Sequence, residues 1–208
     1  MKPEDKKKSY KLTQSQTLLL VGKTLGPYNV KEEIGHGGMG VVYKAFDKVL
    51  NRDVALKIIP PQFAADEHKL KRFMREAKNI ARLNHPAIVP IYFTGQERGI
   101  HFISMKFVEG QTLSDIIDRE APLPPTRAIL ITREIAKGLG HAHDLNIIHR
   151  DVKPENIMIA QDGQVQIMDF GLARSNFAGE KLTDSGIFLG TPEYSSPEQI
   201  RSSIADPR

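Results

Sequence analysis

Residues 149–156, "HRDVKPEN", combine the side-chain types that could handle a hydroxyl group, a divalent cation and a phosphate. Asp151 could orient a hydroxyl and accept its proton. An aspartate is a weak base, with an ordinary pKa of about 3.9, so its position matters more than its basicity. Asn156 offers a neutral oxygen of the kind that Mg²⁺ accepts, and Lys153 could hold a phosphoryl group. Each residue taken alone is better explained as an ordinary surface-loop residue.

A second carboxylate, Asp169 of "DFG", directly follows a predicted strand, "QVQIM". The preceding strand, "NIMIA", is joined to it by residues 161–163, a Gln-Asp-Gly sequence typical of a short hairpin. This hairpin would bring Asp169 and Asn156 toward the same metal ion. Magnesium usually takes only one or two protein carboxylates together with substrate phosphates, so one carboxylate and one amide oxygen suit it.

Three glycines, Gly35, Gly37 and Gly40, have the spacing G-x-G-x-x-G. Glycines at this spacing let backbone N–H groups approach phosphate oxygens without a Cβ in the way. The same spacing occurs in dinucleotide-binding turns, but those open a helix, whereas residues 41–43 continue here as a strand. A plain glycine-rich hairpin is the structural alternative.

Two charged residues, Lys57 and Glu76, are predicted to face inward. Strand alternation places Lys57 there, and helical spacing places Glu76 there. Lys57 ends "VALK", and strand alternation places Ala55 on the same face. Glu76 lies within the apolar stripe of a predicted helix, where a carboxylate needs a cationic or hydrogen-bonding partner. Each charge would explain the other.

The elements that must position these residues follow an α+β pattern. Short β-branched segments between residues 28 and 60 predict strands, and residues 66–83 predict a helix. Two more strands follow, "AIVPIYFTG" and "IHFISMKFV". We expect Glu109 and Gly110 to form a linker, followed by helical segments to about residue 118 and over 126–143. Ser196 and the proline after it predict the start of another helix.

Composition excludes several classes of function. The 208 residues are 40% hydrophobic and contain no cysteine, so a disulfide framework, a zinc–cysteine site and a thiol nucleophile are excluded. The apolar run at residues 18–21 is too short for a membrane span. The net charge of +4 is concentrated near the start, so residues 1–25 are interpreted as a flexible basic leader rather than a nucleic-acid or membrane tether.

In this order, the glycine loop, "VALK", "HRDVKPEN", "DFG" and "SPE" at 196–198 resemble the signature set of protein kinases. The phrasing "LGPYNVKEEIGHGGMGVVYKA" is similar to bacterial eukaryotic-type Ser/Thr kinases. The resemblance implies an α+β, two-lobe fold. Residues 26–108 would form a strand-rich N-lobe with one helix, and 109–208 a partial helical C-lobe.

The resemblance also implies roles for individual residues. Lys57 would contact the ATP α- and β-phosphates and pair with Glu76. Asp151 would take the substrate proton, Lys153 would neutralise the γ-phosphate, and Asn156 and Asp169 would hold Mg²⁺. The nucleotide would also be bound by Ile34, Gly35, His36, Gly37, Gly38, Met39, Gly40, Val42, Ala55, Met105, Phe107, Val108 and Met158. A packing spine would run through Ile80, Ile91, His149 and Phe170.

Regulation and partners are implied in the same way. Arg150 beside the proposed base suggests control by a phosphate on the activation segment, with Thr183 and Ser185 as candidates, while Thr191 would contact the catalytic loop. A protein substrate with Ser or Thr hydroxyls is expected, with possible self-association or trans-autophosphorylation. No nucleic-acid partner is expected, and the expected location is cytoplasmic, or the cytoplasmic side of a membrane.

The last residues raise an alternative. A kinase back lobe continues well past the motif that "SPE" at 196–198 matches, so the chain is expected to be a C-terminally truncated domain. The principal hypothesis is an ATP-dependent protein Ser/Thr kinase. The alternative is a nucleotide-binding or interaction module without transferase activity.

Overall fold

A computed structural model describes residues 20–37, 40–60, 66–170 and 192–202. These residues fall into two compact units. The first unit contains the described residues up to 70 together with 93–107, and the second contains 71–92 and the described residues from 108 onward. The predicted division into an N-lobe that ends at residue 108 and a C-lobe that follows it remains a prediction.

The first unit is built on a six-stranded sheet. Its strands are β1 (Thr24–Leu25), β2 (Tyr28–Gly37), β3 (Gly40–Asp47), β4 (Arg52–Ile58), β5 (Ile91–Glu97) and β6 (Ile100–Lys106). Their order in the sheet is β1-β2-β3-β4-β6-β5. The pairs β1–β2, β2–β3, β3–β4 and β4–β6 are antiparallel, as expected for strands joined by short turns.

One face of this sheet forms a hydrophobic core. Along β3 every second residue is buried, which is the period of a strand with one covered face. Tyr43 and Leu56 are fully buried, and the Tyr28 ring meets the Phe102 ring edge-on with centroids 5.6 Å apart. At the β3–β4 turn, the Asp47 carboxylate accepts hydrogen bonds from the backbone N–H groups of Val49 and Leu50, which stabilise the turn.

Helix α1 spans Glu67–Ile80 and ends three residues before the predicted boundary. Asp66 precedes it, and its carboxylate accepts a hydrogen bond from the His68 N–H at 3.0 Å, as an N-terminal cap does. Phe73, Ala77 and Ile80 are buried at helical spacing, as the sequence predicted.

The second unit combines helices with a small sheet. Helices α2 (Leu113–Glu120) and α3 (Pro125–Asp144) precede strands β8 (Ile157–Ala160) and β9 (Val165–Ile167). The expected linker at Glu109 and Gly110 is wrong, because Gly110–Thr112 forms strand β7 and pairs antiparallel with β8. A Cβ on Gly110 would lie 2.1 Å from the Ile159 carbonyl oxygen, so glycine permits the close approach that this pairing needs.

Residues 86–89 are hydrogen-bonded to strand β9. The Ile167 N–H donates to the Ala87 carbonyl and the Val89 N–H donates to the Ile167 carbonyl. The Gln166 side-chain amide donates to the Pro86 carbonyl at 3.1 Å. Helix α3 packs closely here, since a Cβ on Gly138 would lie 2.9 Å from the Ile167 side chain. Strand β9, which leads to the DFG residues, is therefore held at its last two residues.

The remaining described elements of the second unit are short. Single 3-10 turns cover Pro154–Asn156 and Pro192–Tyr194, and helix α4 covers Pro197–Ser202, where the sequence predicted a helix start. Within the described ranges, no helix combines the length and hydropathy needed to cross a bilayer.

Candidate functional site

The glycine loop lies at the β2–β3 hairpin of the first unit. Gly35 pairs with Val42 and Gly37 with Gly40, so the motif joins two strands, as the sequence indicated. Gly40 has φ +115°, and a Cβ there would lie 2.0 Å from the Ile58 carbonyl oxygen. Glycine is therefore required at this position by both conformation and space. The predicted nucleotide residues Gly38 and Met39 lie outside the described residues.

Strand register places several predicted nucleotide residues on one face of the sheet. Val42 pairs with Lys57, and Ala55 pairs with Met105. Directly paired residues share a face, and Ala55 and Lys57 are two positions apart on β4, so all four side chains project to the same side. Lys57 is only 4% exposed. A lysine this deeply buried needs stabilising contacts, so its position is not that of a solvated surface residue.

The other predicted nucleotide residues are more scattered. Ile34 and His36 are exposed on β2, and the His36 ring lies 3.7 Å from a Glu33 carboxylate oxygen. Phe107, half-buried, is the last residue of the first unit, and Val108, buried, belongs to the second.

Met158, on β8, belongs to the second unit and pairs with Gln166 of β9. Glu76 is half-buried on α1.

A charged and aromatic cluster that the sequence did not reveal lies on the first unit. The Lys44 ammonium lies 3.5 Å from an Asp53 carboxylate oxygen and 4.4 Å from the centre of the Phe107 ring. Asp53 also accepts a hydrogen bond from Lys31 at 2.6 Å, and Lys31 lies over the Phe46 ring. The Lys31 hydrogen bond, with further help from Lys44, lowers the pKa of the Asp53 carboxyl.

The catalytic-loop residues of the second unit are joined by a compact set of hydrogen bonds. The Asn156 side-chain amide donates to the Asp151 carbonyl at 2.7 Å and to an Asp151 carboxylate oxygen at 2.9 Å. The Lys153 ammonium lies 3.5 Å from the same carboxylate oxygen. The structure thus brings together the three residues that the sequence singled out, with the Asp151 carboxylate fixed between an amide and an ammonium.

His149 anchors this loop from the interior. It is 1% exposed, its Nε2 lies 2.9 Å from the Met168 carbonyl, and its Nδ1 accepts a hydrogen bond from the Asp151 N–H at 3.2 Å. With Nδ1 accepting, the proton of the neutral ring belongs on Nε2, which donates to Met168. Burial lowers the pKa of His149, against opposing contributions from Met168, Asp169 and Asp151. The neutral ring therefore joins Asp151 to the strand end before Asp169.

The DFG residues follow from the same connections. The Met168 N–H donates to the backbone carbonyl of Asn156 at 2.9 Å, so the residue before Asp169 is hydrogen-bonded to the backbone of the residue whose side-chain amide is the proposed metal ligand. Asp169 itself has φ +59°, a left-handed conformation, and Phe170 packs on the His149 ring with centroids 4.6 Å apart. His149 and Phe170, two members of the predicted packing spine, are therefore buried in contact with each other, which is equally expected of ordinary core residues.

The donor set fits a magnesium ion. Both donations by Asn156 come from its nitrogen, so the amide oxygen is the atom of this side chain that could be a metal ligand, and Asp169 supplies a carboxylate. Within the described residues, no group of three or more His, Cys, Asp or Glu side chains lies together. One carboxylate and one amide oxygen suit an ion that keeps water and phosphate oxygens in its shell.

Most residues with a predicted regulatory role are not among those that the structure describes. Thr183, Ser185 and Thr191 lie outside the described residues. Arg150 is exposed and has φ +67°. Its carbonyl accepts a hydrogen bond from the Gln199 side chain, a residue that the sequence reasoning did not assign to the site.

Known proteins are similar to this chain over most of its length. A family model described as the protein kinase domain matches residues 28–207. The Ser/Thr protein kinase PknL of Mycobacterium tuberculosis is 43% identical over 181 residues, which cover 87% of this chain and 45% of PknL. PrkC of Bacillus subtilis is 42% identical over 188 residues, covering 90% of this chain and 29% of PrkC. This chain thus spans less than half the length of either relative.

Solved structures show the same fold. A double mutant of the Mycobacterium tuberculosis PknI kinase domain matches with a TM-score of 0.72 at 30% identity, covering 89% of this chain and 71% of that one. Rad53 1–466 in complex with AMP-PNP matches with a TM-score of 0.68 at 30% identity, covering 85% and 43%. The class of the molecule is therefore the protein-kinase fold.

Because the family model covers most of its length, the chain belongs to the protein kinase family. Proteins of this family in general use ATP and Mg²⁺.

Proposed function

We propose that this chain is the catalytic part of an ATP-dependent protein Ser/Thr kinase. The observation that carries the proposal is the Asp151 carboxylate, bonded by Asn156 at 2.9 Å, flanked by Lys153 at 3.5 Å and attached through its backbone to buried His149. Phosphoryl transfer requires positioning and charge stabilisation more than covalent chemistry, and this loop supplies both.

In the proposed reaction, Asp151 orients a Ser or Thr hydroxyl and accepts its proton. The hydroxyl oxygen forms the new bond to the γ-phosphorus as the bond to the β,γ-bridging oxygen breaks, and ADP carries away the electron pair. Lys153 neutralises charge on the transferring group. Asn156 and Asp169 would hold Mg²⁺, which neutralises charge on the nucleotide phosphates when bound.

The first unit would bind the nucleotide. The glycine hairpin presents backbone N–H groups to the phosphates, and Lys57 on β4 contacts them from the sheet face that also carries Val42 and Ala55. Lys57 and Glu76 keep the roles that the family resemblance gives them. Residues 105–110 would form the hinge that binds the adenine. Lys106 replaces the acidic residue common at this position in the family, but adenine recognition should survive because the hinge contacts are made largely by the backbone.

The proposal extends to partners and regulation. Substrates are proteins with accessible Ser or Thr side chains, and a second copy of the chain is one of them. Phosphate on Thr183 or Ser185 would pair with exposed Arg150, and Thr191 would contact the catalytic loop. A cytoplasmic location gives the chain access to ATP.

The test is transfer of labelled γ-phosphate from Mg-ATP to a protein that offers Ser, Thr and Tyr hydroxyls. We expect label on Ser and Thr only. Lys57→Met should weaken Mg-ATP binding roughly tenfold or more, a loss of about 1.4 kcal/mol, and reduce transfer with it. Lys48→Met, at the exposed β3–β4 turn, is the matched control and should behave as wild type. Binding of Mg-ATP without transfer would instead support the nucleotide-binding module, and absence of binding would refute both.

A further inference from the structure

Gln199 makes hydrogen bonds in two directions at the start of helix α4. Its side-chain oxygen accepts from the Ser196 N–H at 3.1 Å, and its side-chain nitrogen donates to the Arg150 carbonyl at 3.0 Å. The Gln199 N–H in turn donates to the Ser196 hydroxyl at 3.4 Å. One amide thus connects the first turn of α4 to the catalytic loop, 49 residues earlier in the sequence.

The contacts with Ser196 form a capping box, in which the residue before the helix and the third residue of the helix bond reciprocally. The capping box accepts either glutamate or glutamine at the third position, because only the side-chain oxygen is used. The contact with Arg150 is different, since only glutamine has an N–H group to donate to a carbonyl. Capping alone does not account for glutamine at this position.

The bonded carbonyl lies at a sensitive point. Arg150 has φ +67°, a conformation that non-glycine residues keep only where the surroundings hold it. The residue before it, His149, is fixed in the interior, and the residue after it is Asp151, whose N–H bonds back to the His149 ring. A hydrogen bond to the Arg150 carbonyl therefore restrains the peptide that sets the direction of Asp151.

We propose that Gln199 is a positioning residue for the catalytic loop, holding the Arg150–Asp151 peptide through its side-chain amide. This restraint uses the backbone of Arg150, so it is independent of any phosphate paired with the arginine side chain. That Gln199 restrains the loop follows from the hydrogen bonds alone. That it affects catalysis rests on the proposed function.

Gln199→Glu separates the two contacts. Glutamate preserves the capping box with Ser196 but cannot donate to the Arg150 carbonyl. We expect the variant to keep the wild-type melting temperature, while hydrogen–deuterium exchange in peptides covering 147–156 accelerates several-fold. Gln161→Glu, the same substitution on the exposed β8–β9 turn, is the matched control and should leave exchange unchanged. Gln199→Met, which removes both contacts, should accelerate exchange in the loop and in α4.

Catalysis provides a second readout on the same chain. Gln199→Glu should lower kcat roughly 10- to 100-fold with KM for ATP unchanged, because it disturbs the position of Asp151 and not the nucleotide residues. The inference would be overturned if the loop of Gln199→Glu exchanged at the wild-type rate. Global unfolding of Gln199→Glu would also overturn it, since this variant retains the capping box. Failure of the wild-type chain to transfer phosphate would count against the proposed function and leave the exchange result to decide the inference.

Discussion

The two units hold their proposed site residues by different means. In the first unit, Val42, Ala55 and Lys57 lie on regular strands, and backbone register alone sets which side chains share a face. In the second unit, Asp151 lies on an irregular loop, flanked by the left-handed residue Arg150, and its position depends on the side chains of His149 and Asn156. The sheet should therefore tolerate side-chain substitutions that the loop does not, and should fail where its backbone is obstructed.

The largest effect on stability should come from obstructing the backbone of the sheet. Gly40→Ala places a Cβ against the Ile58 carbonyl and should lower the free energy of unfolding by about 3 kcal/mol. Gly99→Ala has a positive φ but open space, so only the conformational cost of about 1 kcal/mol remains. Chemical denaturation of the two variants measures the difference. Equal losses would show that the close approach at Gly40 is not a constraint.

On the loop side, the corresponding change is His149→Leu. It leaves the Asp151 N–H and the Met168 carbonyl without their ring partners in a buried setting, at a cost of about 2 kcal/mol. His68→Leu, on the exposed face of α1, should stay within about 0.5 kcal/mol of wild type in the same denaturation experiment. If His149→Leu were as stable as its control, the loop would not depend on the ring.

The pH dependence of stability examines the same ring. Burial lowers the pKa of His149, so below its ordinary value of 6.5 the unfolded chain binds a proton that the folded chain resists. The stabilising contribution is complete above about pH 6.5 and declines as the pH falls toward the folded pKa, by up to about 1.4 kcal/mol per pH unit. The free energy of unfolding, measured from pH 7.5 to 5.5, should depend less steeply on pH in His149→Leu than in the wild type. Identical slopes would contradict the assignment of a neutral, buried ring.

The smallest effect is expected at the one side-chain cluster described for the sheet. Lys44→Met removes the ammonium from Asp53 and Phe107 and should cost about 1 kcal/mol or less, since both contacts are partly exposed. High salt should reduce the difference from wild type. Lys48→Met serves as the control. A loss as large as that of His149→Leu would remove the distinction between the two units.

The sequence predicted the regular parts of this molecule well, because strand alternation and glycine spacing are local properties. The shared face of Ala55 and Lys57 and the hairpin between β8 and β9 follow from such patterns. Gly110 was misread as part of a linker because its strand pairing depends on the distant Ile159 carbonyl. Glycine in a strand has no local pattern that reveals a partner 49 positions away.

The loop could be predicted in its residue types but not in its connections. "HRDVKPEN" indicated Asp151, Lys153 and Asn156, yet the ring tautomer of His149 depends on where Met168 lies. One of the two Gln199 contacts has a local signal, because Ser196 and Gln199 have capping-box spacing. The second hydrogen bond joins Gln199 to Arg150, far away in the sequence, and has no such signal. The Lys44 cluster brings together four separate segments, so it too has no local signal.

The central claim is that the Asp151 loop performs phosphoryl transfer, and single-turnover transfer from Mg-ATP to a Ser/Thr substrate tests it most directly. Asp151→Asn keeps the side-chain shape but removes the base, and Asp162→Asn on the exposed β8–β9 turn is the matched control. Asp151→Asn should slow transfer by about 100- to 10,000-fold with Mg-ATP affinity unchanged, while the control transfers normally. Transfer by Asp151→Asn at the wild-type rate would contradict the claim.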